Sequence, residues 1–550
     1  EGGTINTGIQ GLVSFMPFET VPISQPIPMS QQIHDVSEVA GGKIRPFSRR
    51  NGGSPRASCM RCVVRSAITV RAAARARAVA LRAGAVWVAA VRAGVVWAVV
   101  AAGCAVDGPL RLEVGPRVVL PARSVIILWA DGVDHQRFDE LMEAGRLPHI
   151  RRVFVEGGVT VENGVACLPS VTYANGASLI TGRFPGHHGI ASNLWLDRRT
   201  LDSAYYLTLA SYLDSNRHIV GPTMYEMLSD HFTLNIHCHT RRGVSVTLDH
   251  DGVTGLAFAL GALVTSDVLA VERLSEAAAI AKGRKRWPSV TMVYCNGVDE
   301  IGHREGPGSA WYEEAIENID TQVGRIDEAV RAAGLADRTY YVLVSDHGMS
   351  PVRGERAMHL QEWVERHRGM KVRCTPLTAG SYQDRLREIG RYGAFVTVDS
   401  DRAASVHVRG QGGWSVVPEA GEVEAFLLGP PSVLELPAVD CAVVRVDADR
   451  VKVLSARGSA VIERRIVEGV REYRVIEVEG DPLGYGGDSE LSAFVASGWH
   501  ESRSWLSATA RSERPDFVPQ AAELFDTPRM GDCVVFASAE AAFRPDWRGG

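Results

Sequence analysis

Three apolar segments that each lead to a carboxylate constrain the fold more than any other feature of this sequence. Residues 124–130, "SVIILWA", run into Asp131, "SVTMVYCNGVD" ends at Asp299, and "TYYVLVSDHG" contains Asp346. Their long apolar runs are typical of strands that are buried on both faces of a parallel sheet. Open α/β sheets bind their ligands beyond the carboxyl ends of such strands. We therefore expect the three carboxylates to lie at one edge of a parallel sheet.

Helical patterns separate these strands. Residues 267–281 are rich in Ala, Leu and Glu, and further along the chain apolar residues spaced three and four apart form one stripe. The stripe consists of Ile316, Ile319, Val323, Ile326 and Val330. This alternation of strands and helices predicts an α/β fold in which a mostly parallel central sheet carries helices on both faces. We assign residues 105–370 to the first part of that core.

The pattern changes after about residue 371. Segments such as "AFVTVDSDRAASVHV" and "YRVIEVEG" alternate apolar and polar residues and are joined by turn residues. They predict an antiparallel β-rich insertion over residues 371–481. Residues 482–550 would then return to the core, with "GDCVVFAS" (Gly531–Ser538) as one more core strand.

The first hundred residues differ from the rest in composition. Residues 1–59 show no sustained period and are rich in Gly, Pro, Ser and Gln, so we expect either a disordered tail or translated sequence upstream of a native start at Met60. Residues 60–104 combine a basic region with a short apolar stretch, Ala93–Gly103. This combination predicts a signal peptide, or a membrane or lipid anchor with Cys104 as the lipid-bearing residue. The protein would then be secreted or periplasmic.

The overall composition argues against two classes of protein. A net charge of −5 over 550 residues is not that of a general nucleic-acid-binding protein, which would carry a strong basic excess. Nine cysteines are too few and too scattered for a disulfide scaffold. A general nucleic-acid partner is therefore not expected, and only the N-terminal segment suggests an association with membranes.

Potential metal ligands follow all three predicted strands. They are Asp131, Asp299, His303, Asp346 and His347. In "DEIGH" a carboxylate and an imidazole are four positions apart, which lets both turn towards one ion. In "SDHG" the two ligands are adjacent, and the next glycine permits a tight bend. Asp and His together suit zinc or a similar divalent ion, and three strand ends of the same kind favour a metal site over ordinary turn chemistry.

The motifs around these ligands resemble those of the alkaline phosphatase superfamily. "DG" after the first strand, "DEIGHREGP" and "VSDHGM" are most similar to the type I phosphodiesterase and nucleotide pyrophosphatase branch, over residues 124–365 and more weakly over 482–550. The resemblance implies two zinc ions, or other divalent ions, and a threonine or serine nucleophile. The implied ligand sets are Asp131, Asp346 and His347 for one ion, and Asp299 and His303 for the other. The resemblance also implies one further histidine ligand, which we expect just beyond Gly550.

The same resemblance selects a nucleophile within "CLPSVTYANGASLITGRFPGHHG". The candidates in this stretch are Cys167, Ser170, Thr172 and Tyr173, and its CxPS start is similar to a sulfatase signature with a catalytic cysteine. In the superfamily the nucleophile lies nine residues before the threonine of a TG-x-x-P turn, which is Thr181 here. Counting back gives Thr172, whereas Cys167 lies 14 positions away. The resemblance therefore implies Thr172 as nucleophile and metal ligand, and leaves Cys167 as a small core residue.

Thr172 also opens a predicted helix, "TYANGASLITG", whose amides and dipole would favour a bound phosphate. Similar phosphodiesterases carry an asparagine 21 residues after the nucleophile, where it contacts a phosphoryl oxygen, and that position here is Asn193. Asn193 is accordingly expected to act in catalysis and in substrate binding. Tyr173 is expected to form a wall of the substrate pocket.

Together these features predict a metal-dependent phosphoric ester hydrolase. The resemblance implies a phosphodiesterase or nucleotide pyrophosphatase that acts on a phosphate ester or nucleotide-type small molecule through a phospho-threonine. Two alternatives stay open. A phosphomonoesterase of the same superfamily would carry a Lys-x-Arg that grips the extra phosphate charge, and we do not place one in this sequence. The second alternative is an inactive form or a binding protein. The presence of Thr172, Asn193 and the five ligands argues against it.

Overall fold

A computed structural model describes residues 13–14, 123–161, 164–208, 210–249, 262–284, 287–398 and 401–544. The predicted segments 1–59 and 60–104, apart from Val13–Ser14, lie outside the described residues, as does Cys104. The predictions about export and lipid attachment therefore stay predictions. Within the described ranges, no helix combines the length and the hydropathy needed to cross a membrane.

The strands belong to a central sheet, a second sheet and a small ribbon. In chain order they are β1 Val13–Ser14, β2 Ser124–Ala130, β3 Leu194–Leu196, β4 Ser203–Tyr205, β5 Thr233–Ile236, β6 Val246–Leu248, β7 Val290–Cys295, β8 Thr339–Val344, β9 Val372–Arg373, β10 Ala394–Thr397, β11 Ala403–Val408, β12 Val439–Arg445, β13 Arg450–Ser455, β14 Gly458–Val467, β15 Val470–Gly480, β16 His500–Glu501 and β17 Cys533–Ala537. β3 and β4 pair with each other as an antiparallel ribbon.

The helices lie between and around these strands. In chain order they are α1 His135–Glu143, α2 Pro148–Ile150, α3 Thr172–Thr181, α4 Pro185–His188, α5 Ser215–His218, α6 Met224–Met227, α7 Leu263–Arg284, α8 Gly297–Glu305, α9 Ala310–Ala332, α10 Leu360–Arg368, α11 Tyr382–Ile389, α12 Ala420–Leu428, α13 Ser489–Ala496, α14 Ser502–Thr509 and α15 Phe517–Glu523. A π-helical segment spans Arg151–Glu156, and short 3₁₀ turns span Ala336–Arg338, Gly354–Arg356, Val433–Glu435 and Leu524–Asp526.

The central sheet has the strand order β1-β8-β2-β7-β5-β6. The strands from β8 to β6 are parallel to one another, and only the two-residue β1 is antiparallel to its neighbour. β2, which carries the run "SVIILWA", lies between β7 and β8. The predicted parallel core is therefore confirmed, and the three apolar runs are its adjacent central strands.

Helices cover both faces of this sheet, as predicted. Alternate residues of β2 point to opposite faces. Ile126 and Leu128 belong to one buried cluster with α1, α7 and α9, whereas Ile127 and Trp129 belong to another with α3. The predicted apolar stripe of α9 is buried along its whole length and packs in the first cluster. Helix α7 likewise spans the predicted segment 267–281.

The second sheet has the order β16-β15-β14-β13-β12-β17-β11-β10-β9. Its neighbouring strands are antiparallel except for the pair formed by β9 and β10. The antiparallel region predicted after residue 371 is thus present, but the sheet continues past residue 481. β17, expected from Gly531–Ser538 as a further strand of the core sheet, instead lies between β11 and β12. Its apolar run is buried on both faces of the second sheet. The sequence alone shows that such a strand is buried, but not in which sheet.

Candidate active site

The carboxyl ends of β2, β7 and β8 meet at one edge of the central sheet. Trp129 of β2 pairs with Tyr294 of β7 and with Val344 of β8, so the residues that follow leave the sheet side by side. Asp131 comes directly after β2, and Asp346 lies two residues beyond the end of β8. The strand ends are therefore aligned as the sequence predicts.

Asp299 and His303 reach the same edge from a helix. Helix α8 begins two residues after β7, and both side chains lie on it four positions apart. Residues at this spacing share a helix face. His303 Nε2 lies 3.3 Å from Asp299 Oδ1, so the imidazole and the carboxylate form one pair.

His347 lies at the centre of the group. Its Nε2 lies 3.3 Å from Asp131 Oδ1, 3.6 Å from Asp346 Oδ2 and 3.9 Å from Asp299 Oδ1. One ligand atom from each of Asp131, Asp299 and His347 lies within 4.8 Å of the other two. The structure therefore brings together all five residues that the sequence singled out.

Gly132 permits the close approach of the first strand end to α8. Its φ of 68° lies in the left-handed region. A Cβ at this position would lie 2.8 Å from Asp299 Oδ1, closer than side chains can approach. Any larger residue would displace the Asp299 carboxylate as well as strain the backbone. The glycine of the "DG" pair is therefore required at this site for steric reasons.

Thr172 adds a hydroxyl group to the cluster. It is the first residue of α3 and is half-buried, and its Oγ1 lies 3.2 Å from His347 Nε2. Val171, which precedes it, provides no side-chain cap among the described residues. Helix α3 therefore starts at the site with its first-turn amides and the positive end of its dipole, an arrangement that favours a bound anion.

Asn193 is tied to the start of the same helix. Its side chain is buried, and Oδ1 accepts a hydrogen bond from the backbone amide of Tyr173 at 3.3 Å. With the oxygen held in this way, the side-chain nitrogen is the group that can donate to a ligand beside Thr172. Asn193 is thus brought to the N-terminus of α3, although 21 positions separate it from Thr172 in the sequence.

The donor atoms of this cluster fit a divalent cation. Asp131 Oδ1, Asp299 Oδ1 and Asp346 Oδ2 are buried and accept no hydrogen bond from the residues that the structure describes. Buried carboxylate oxygens without a donor are costly unless positive charge lies beside them. Carboxylate oxygens combined with imidazole nitrogens are a donor set that zinc and similar ions bind.

The electrostatics of the carboxylates favour the same interpretation. Burial raises the pKa of Asp131 well above its ordinary value, and the negative charges of Asp346 and Asp299 raise it further. Burial acts in the same direction on Asp299, but the nearby imidazoles of His303 and His347 outweigh it, so the pKa of Asp299 is lowered. Repulsion between carboxylates is therefore strongest around Asp131, where a cation would relieve it.

A sequence profile of the type I phosphodiesterase / nucleotide pyrophosphatase family matches residues 125–411, more than half of the chain. This chain belongs to that family. The matched region contains Thr172, Asn193 and all five candidate metal ligands.

The named relatives of this family member are distant in sequence. Human ectonucleotide pyrophosphatase/phosphodiesterase family member 5 is 22% identical over 259 residues, which cover 47% of this chain and 51% of that protein. Mouse family member 1 is 24% identical over 230 residues, covering 42% of this chain and 24% of that protein. A mouse bis(5'-adenosyl)-triphosphatase is 22% identical over 236 residues, covering 42% and 49%. The chain thus spans about half or less of the length of these relatives.

Solved structures were matched as well. The structure of human ectonucleotide pyrophosphatase / phosphodiesterase 5 matches with a TM-score of 0.46 and 13% sequence identity. The match covers 78% of this chain and 83% of that one.

Tyr173 of this family member does not lie where a pocket wall would. Its side chain is 5% exposed, and its hydroxyl donates to the backbone carbonyls of Tyr206 and Tyr212 at 3.3 and 3.1 Å. Its ring packs against that of His239, with 4.2 Å between the ring centroids. One position along a helix turns a side chain by about 100°, which takes Tyr173 into the core while Thr172 stays at the site. The structure therefore corrects the expectation that Tyr173 lines the substrate pocket.

Cys167 has the properties of a structural residue. Its backbone N–H donates to Asn175 Oδ1 at 2.7 Å, and its carbonyl accepts from Asn175 Nδ2 at 3.0 Å. Burial raises the pKa of its thiol to about 11. A thiol that stays protonated at neutral pH is a poor nucleophile. Between Cys167 and Thr172, Thr172 is therefore the better candidate for the nucleophile.

Tyr294 is a residue of the site that the sequence analysis missed. Its buried hydroxyl donates a hydrogen bond to Asp131 Oδ2, while Asp131 Oδ1 faces His347. One oxygen of the carboxylate is thereby held by the sheet, and the other is left for an ion. The signal available in the sequence was a single tyrosine within the apolar run of β7, five residues before Asp299.

Proposed function

We propose that the protein hydrolyses phosphate diesters or pyrophosphate bonds of nucleotide-type substrates by way of a phospho-threonine at Thr172. The observation that carries this proposal is the position of the Thr172 hydroxyl. It lies at the N-terminus of α3, 3.2 Å from His347 and beside a cluster of three carboxylates. Membership of a family described as type I phosphodiesterase / nucleotide pyrophosphatase supports the same class of reaction.

Two zinc ions are the proposed cofactors. The proposed ligands are Asp131, Asp346, His347 and the Thr172 oxygen for one ion, and Asp299 and His303 for the other. When bound, such ions supply positive charge that lowers the pKa of hydroxyl and water ligands and offsets the charge of the phosphoryl group. The buried carboxylate oxygens that accept no hydrogen bond among the described residues support this assignment, because a bound cation would offset their negative charge.

Each step of the proposed reaction is assigned to particular groups of the chain. The Thr172 hydroxyl loses its proton to solvent, Oγ1 attacks phosphorus, and the bond from phosphorus to the leaving alcohol or nucleotide breaks, while the leaving oxygen takes up a proton from solvent. The product is a phospho-threonine that keeps the other ester group of the substrate. The Tyr173 amide is already bonded to Asn193 Oδ1. The other first-turn amides of α3 and the side-chain nitrogen of Asn193 donate to the phosphoryl oxygens and stabilise the charge that develops there. In the second step water cleaves the phospho-threonine and restores the Thr172 hydroxyl.

The reaction class can be tested with a pair of substrates. We expect the initial rate on bis(4-nitrophenyl) phosphate to exceed that on 4-nitrophenyl phosphate, because Asn193 and helix amides are suited to a diester with a single negative charge. Excess chelator should abolish the activity, and added zinc should restore it. Full activity in excess chelator would contradict the metal assignment. A large preference for the monoester would instead assign a phosphomonoesterase of the same superfamily, and turnover of neither substrate would favour an inactive or binding form.

A further inference from the structure

Helix α8, which carries Asp299 and His303, begins without a side-chain cap from its own N-cap residue. The side chain of Asn296 at the N-cap makes no capping hydrogen bond to the first turn of the helix. The first amides of any helix lack partners within the helix and need acceptors from elsewhere when they are buried. Asn296 is 9% exposed and Gly297 is buried, so water does not readily supply those acceptors.

A carboxylate from another helix fills this role. Asp267 of α7 is 1% exposed, and its Oδ1 accepts from the amide of Asn296 at 2.9 Å. The amide of Gly297 lies 3.3 Å from Oδ1 and 3.1 Å from Oδ2. A negative group at this end of α8 is also favoured by the helix dipole. Asp267 therefore caps α8 from outside, from a position 29 residues earlier in the chain.

Gly297 makes this contact sterically feasible. A Cβ at Gly297 would lie 2.4 Å from Asp267 Oδ2 and 2.9 Å from the Cα of Val264, both closer than side chains normally approach. The missing side chain lets α7 come close enough for the Asp267 carboxylate to reach two successive amides. The contact is thus built from both sides, by a glycine on α8 and by a buried acid on α7.

We propose that Asp267 is a positioning residue, which fixes α8 so that Asp299 and His303 present their ligand atoms to the second metal ion. This inference rests on the proposed function, because it assumes that these two residues bind an ion. Asp299 lies two residues after Gly297, and His303 follows one helical turn later. Movement of the start of α8 would therefore shift both ligands together relative to Asp131 and His347, which follow β2 and β8. Residues that orient metal ligands in this way commonly affect metal affinity by about 10- to 100-fold.

The experiment compares zinc binding to the full chain of the wild type and of three variants, Asp267→Ala, Asp267→Asn and Asp320→Ala. Affinities for the two zinc ions would be measured by competition with a chromophoric chelator, and hydrogen exchange of residues 295–305 would be followed by mass spectrometry without metal. Asp320 is a matched control, because it is also a buried carboxylate that accepts from a backbone amide, that of Ile150 at 2.7 Å. It lies on α9, and Ile150 belongs to α2, away from the metal ligands.

We expect Asp267→Ala to bind the second zinc about 10- to 100-fold more weakly, to keep its affinity for the first, and to exchange faster at the start of α8. Asp267→Asn keeps one acceptor oxygen and should be intermediate. Asp320→Ala should bind both ions like the wild type. Faster exchange with unchanged zinc affinities in Asp267→Ala would overturn the inference, since Asp267 would then only stabilise the helix. If Asp267→Ala does not fold, a wild-type affinity in Asp267→Asn overturns it.

The same data separate this inference from the proposed function. A wild-type protein that binds two zinc ions with the expected effect of Asp267, but cleaves no phosphate ester, would refute the proposed function and leave the positioning role standing. A wild type that binds no second zinc would overturn the positioning role itself.

Discussion

At the scale of single residues, the proposed chemistry depends on one hydroxyl group. Thr172→Ala removes the attacking oxygen but leaves Asp131, Asp346 and His347 in place, so we expect turnover to fall by about 10⁴- to 10⁶-fold, the loss typical for a deleted nucleophile. Thr172→Ser should retain partial activity because it keeps a hydroxyl. Steady-state rates on a nitrophenyl diester, with the bound zinc counted in each variant, provide the measurement.

Cys167→Ala is the matched control for this prediction, because Cys167 lies in the same segment and is the rival nucleophile. It should cost only roughly 1 kcal/mol of stability and leave turnover nearly unchanged. Normal turnover in Thr172→Ala together with an inactive Cys167→Ala would show that the nucleophile is assigned wrongly.

Site residues could be predicted from the sequence where the same residue type follows the same kind of segment several times. They could not be predicted where the direction of a side chain decides its role. The carboxylates at Asp131, Asp299 and Asp346 were recognisable because each follows an apolar run that suits a central parallel strand. Tyr173 was expected at the pocket but is turned into the core, and Tyr294, which is turned towards a candidate metal ligand, was not singled out at all. No local pattern reports such a direction, since it is set by packing against strands that are distant in the sequence.

At the scale of elements, the short helix α4 is held by an ionic cluster. His187 Nε2 contacts the carboxylates of Glu523 and Asp526, the latter at 3.0 Å, and Arg464 lies 2.6 Å from Asp526. Burial by itself would lower the pKa of His187, but hydrogen bonds to Asp526 and Glu523 outweigh it and raise that pKa to about 9. The cluster thus links the turn after α3 to α15 and to β14.

This shift predicts a pH-dependent contribution of His187 to stability. Because the folded-state pKa is raised above its ordinary value, the contribution is fully present below about pH 6.5 and is lost as the pH rises through about 9. His187→Gln should therefore destabilise the fold at neutral pH, on the order of 1–2 kcal/mol after solvent screening, and much less above pH 9. Urea unfolding of both proteins across this range measures the difference.

His135→Gln serves as the control, because His135 is exposed and forms an exposed pair with its helical neighbour Asp139. It should unfold like the wild type at every pH. A deficit in His187→Gln that stayed constant up to pH 10 would mean that packing of the ring, and not its charge, stabilises α4.

Helices and strands with a clear hydrophobic pattern were predictable from the sequence. The sheet to which each strand belongs was not always predictable. The stripe of α9 and the apolar runs of β2, β7 and β8 produced the expected helix and parallel strands. β17 was expected in the central sheet because its run is apolar throughout. An interior strand of the second sheet is equally buried, and its neighbours β11 and β12 are known only once the chain has folded.

At the scale of the whole molecule, the second sheet is anchored to the segment that carries Asn193. Asn193 directly precedes β3, and Arg198 follows β3 and lies 2.5 Å from Asp532, the residue before β17. Both charged side chains are almost completely buried. Asp532 also accepts from the amide of Val408 in β11 at 2.8 Å. One short segment therefore touches the start of α3 at one end and the second sheet at the other.

Removing one partner of this buried pair should weaken the whole fold. Asp532→Ala leaves the Arg198 guanidinium buried without its counter-charge, and we expect a loss of about 3–5 kcal/mol in the free energy of unfolding, measured with urea. The double variant Arg198→Leu/Asp532→Leu should lose less than the sum of its single variants, because neither charge is then left alone. Arg217→Ala, which breaks an exposed pair with Asp214, is the control and should unfold like the wild type. Additive losses in the Leu variants would show that Arg198 and Asp532 stabilise the fold independently, through the hydrogen bonds of their side chains to backbone groups. The ion pair would then not be what anchors β3 to the second sheet.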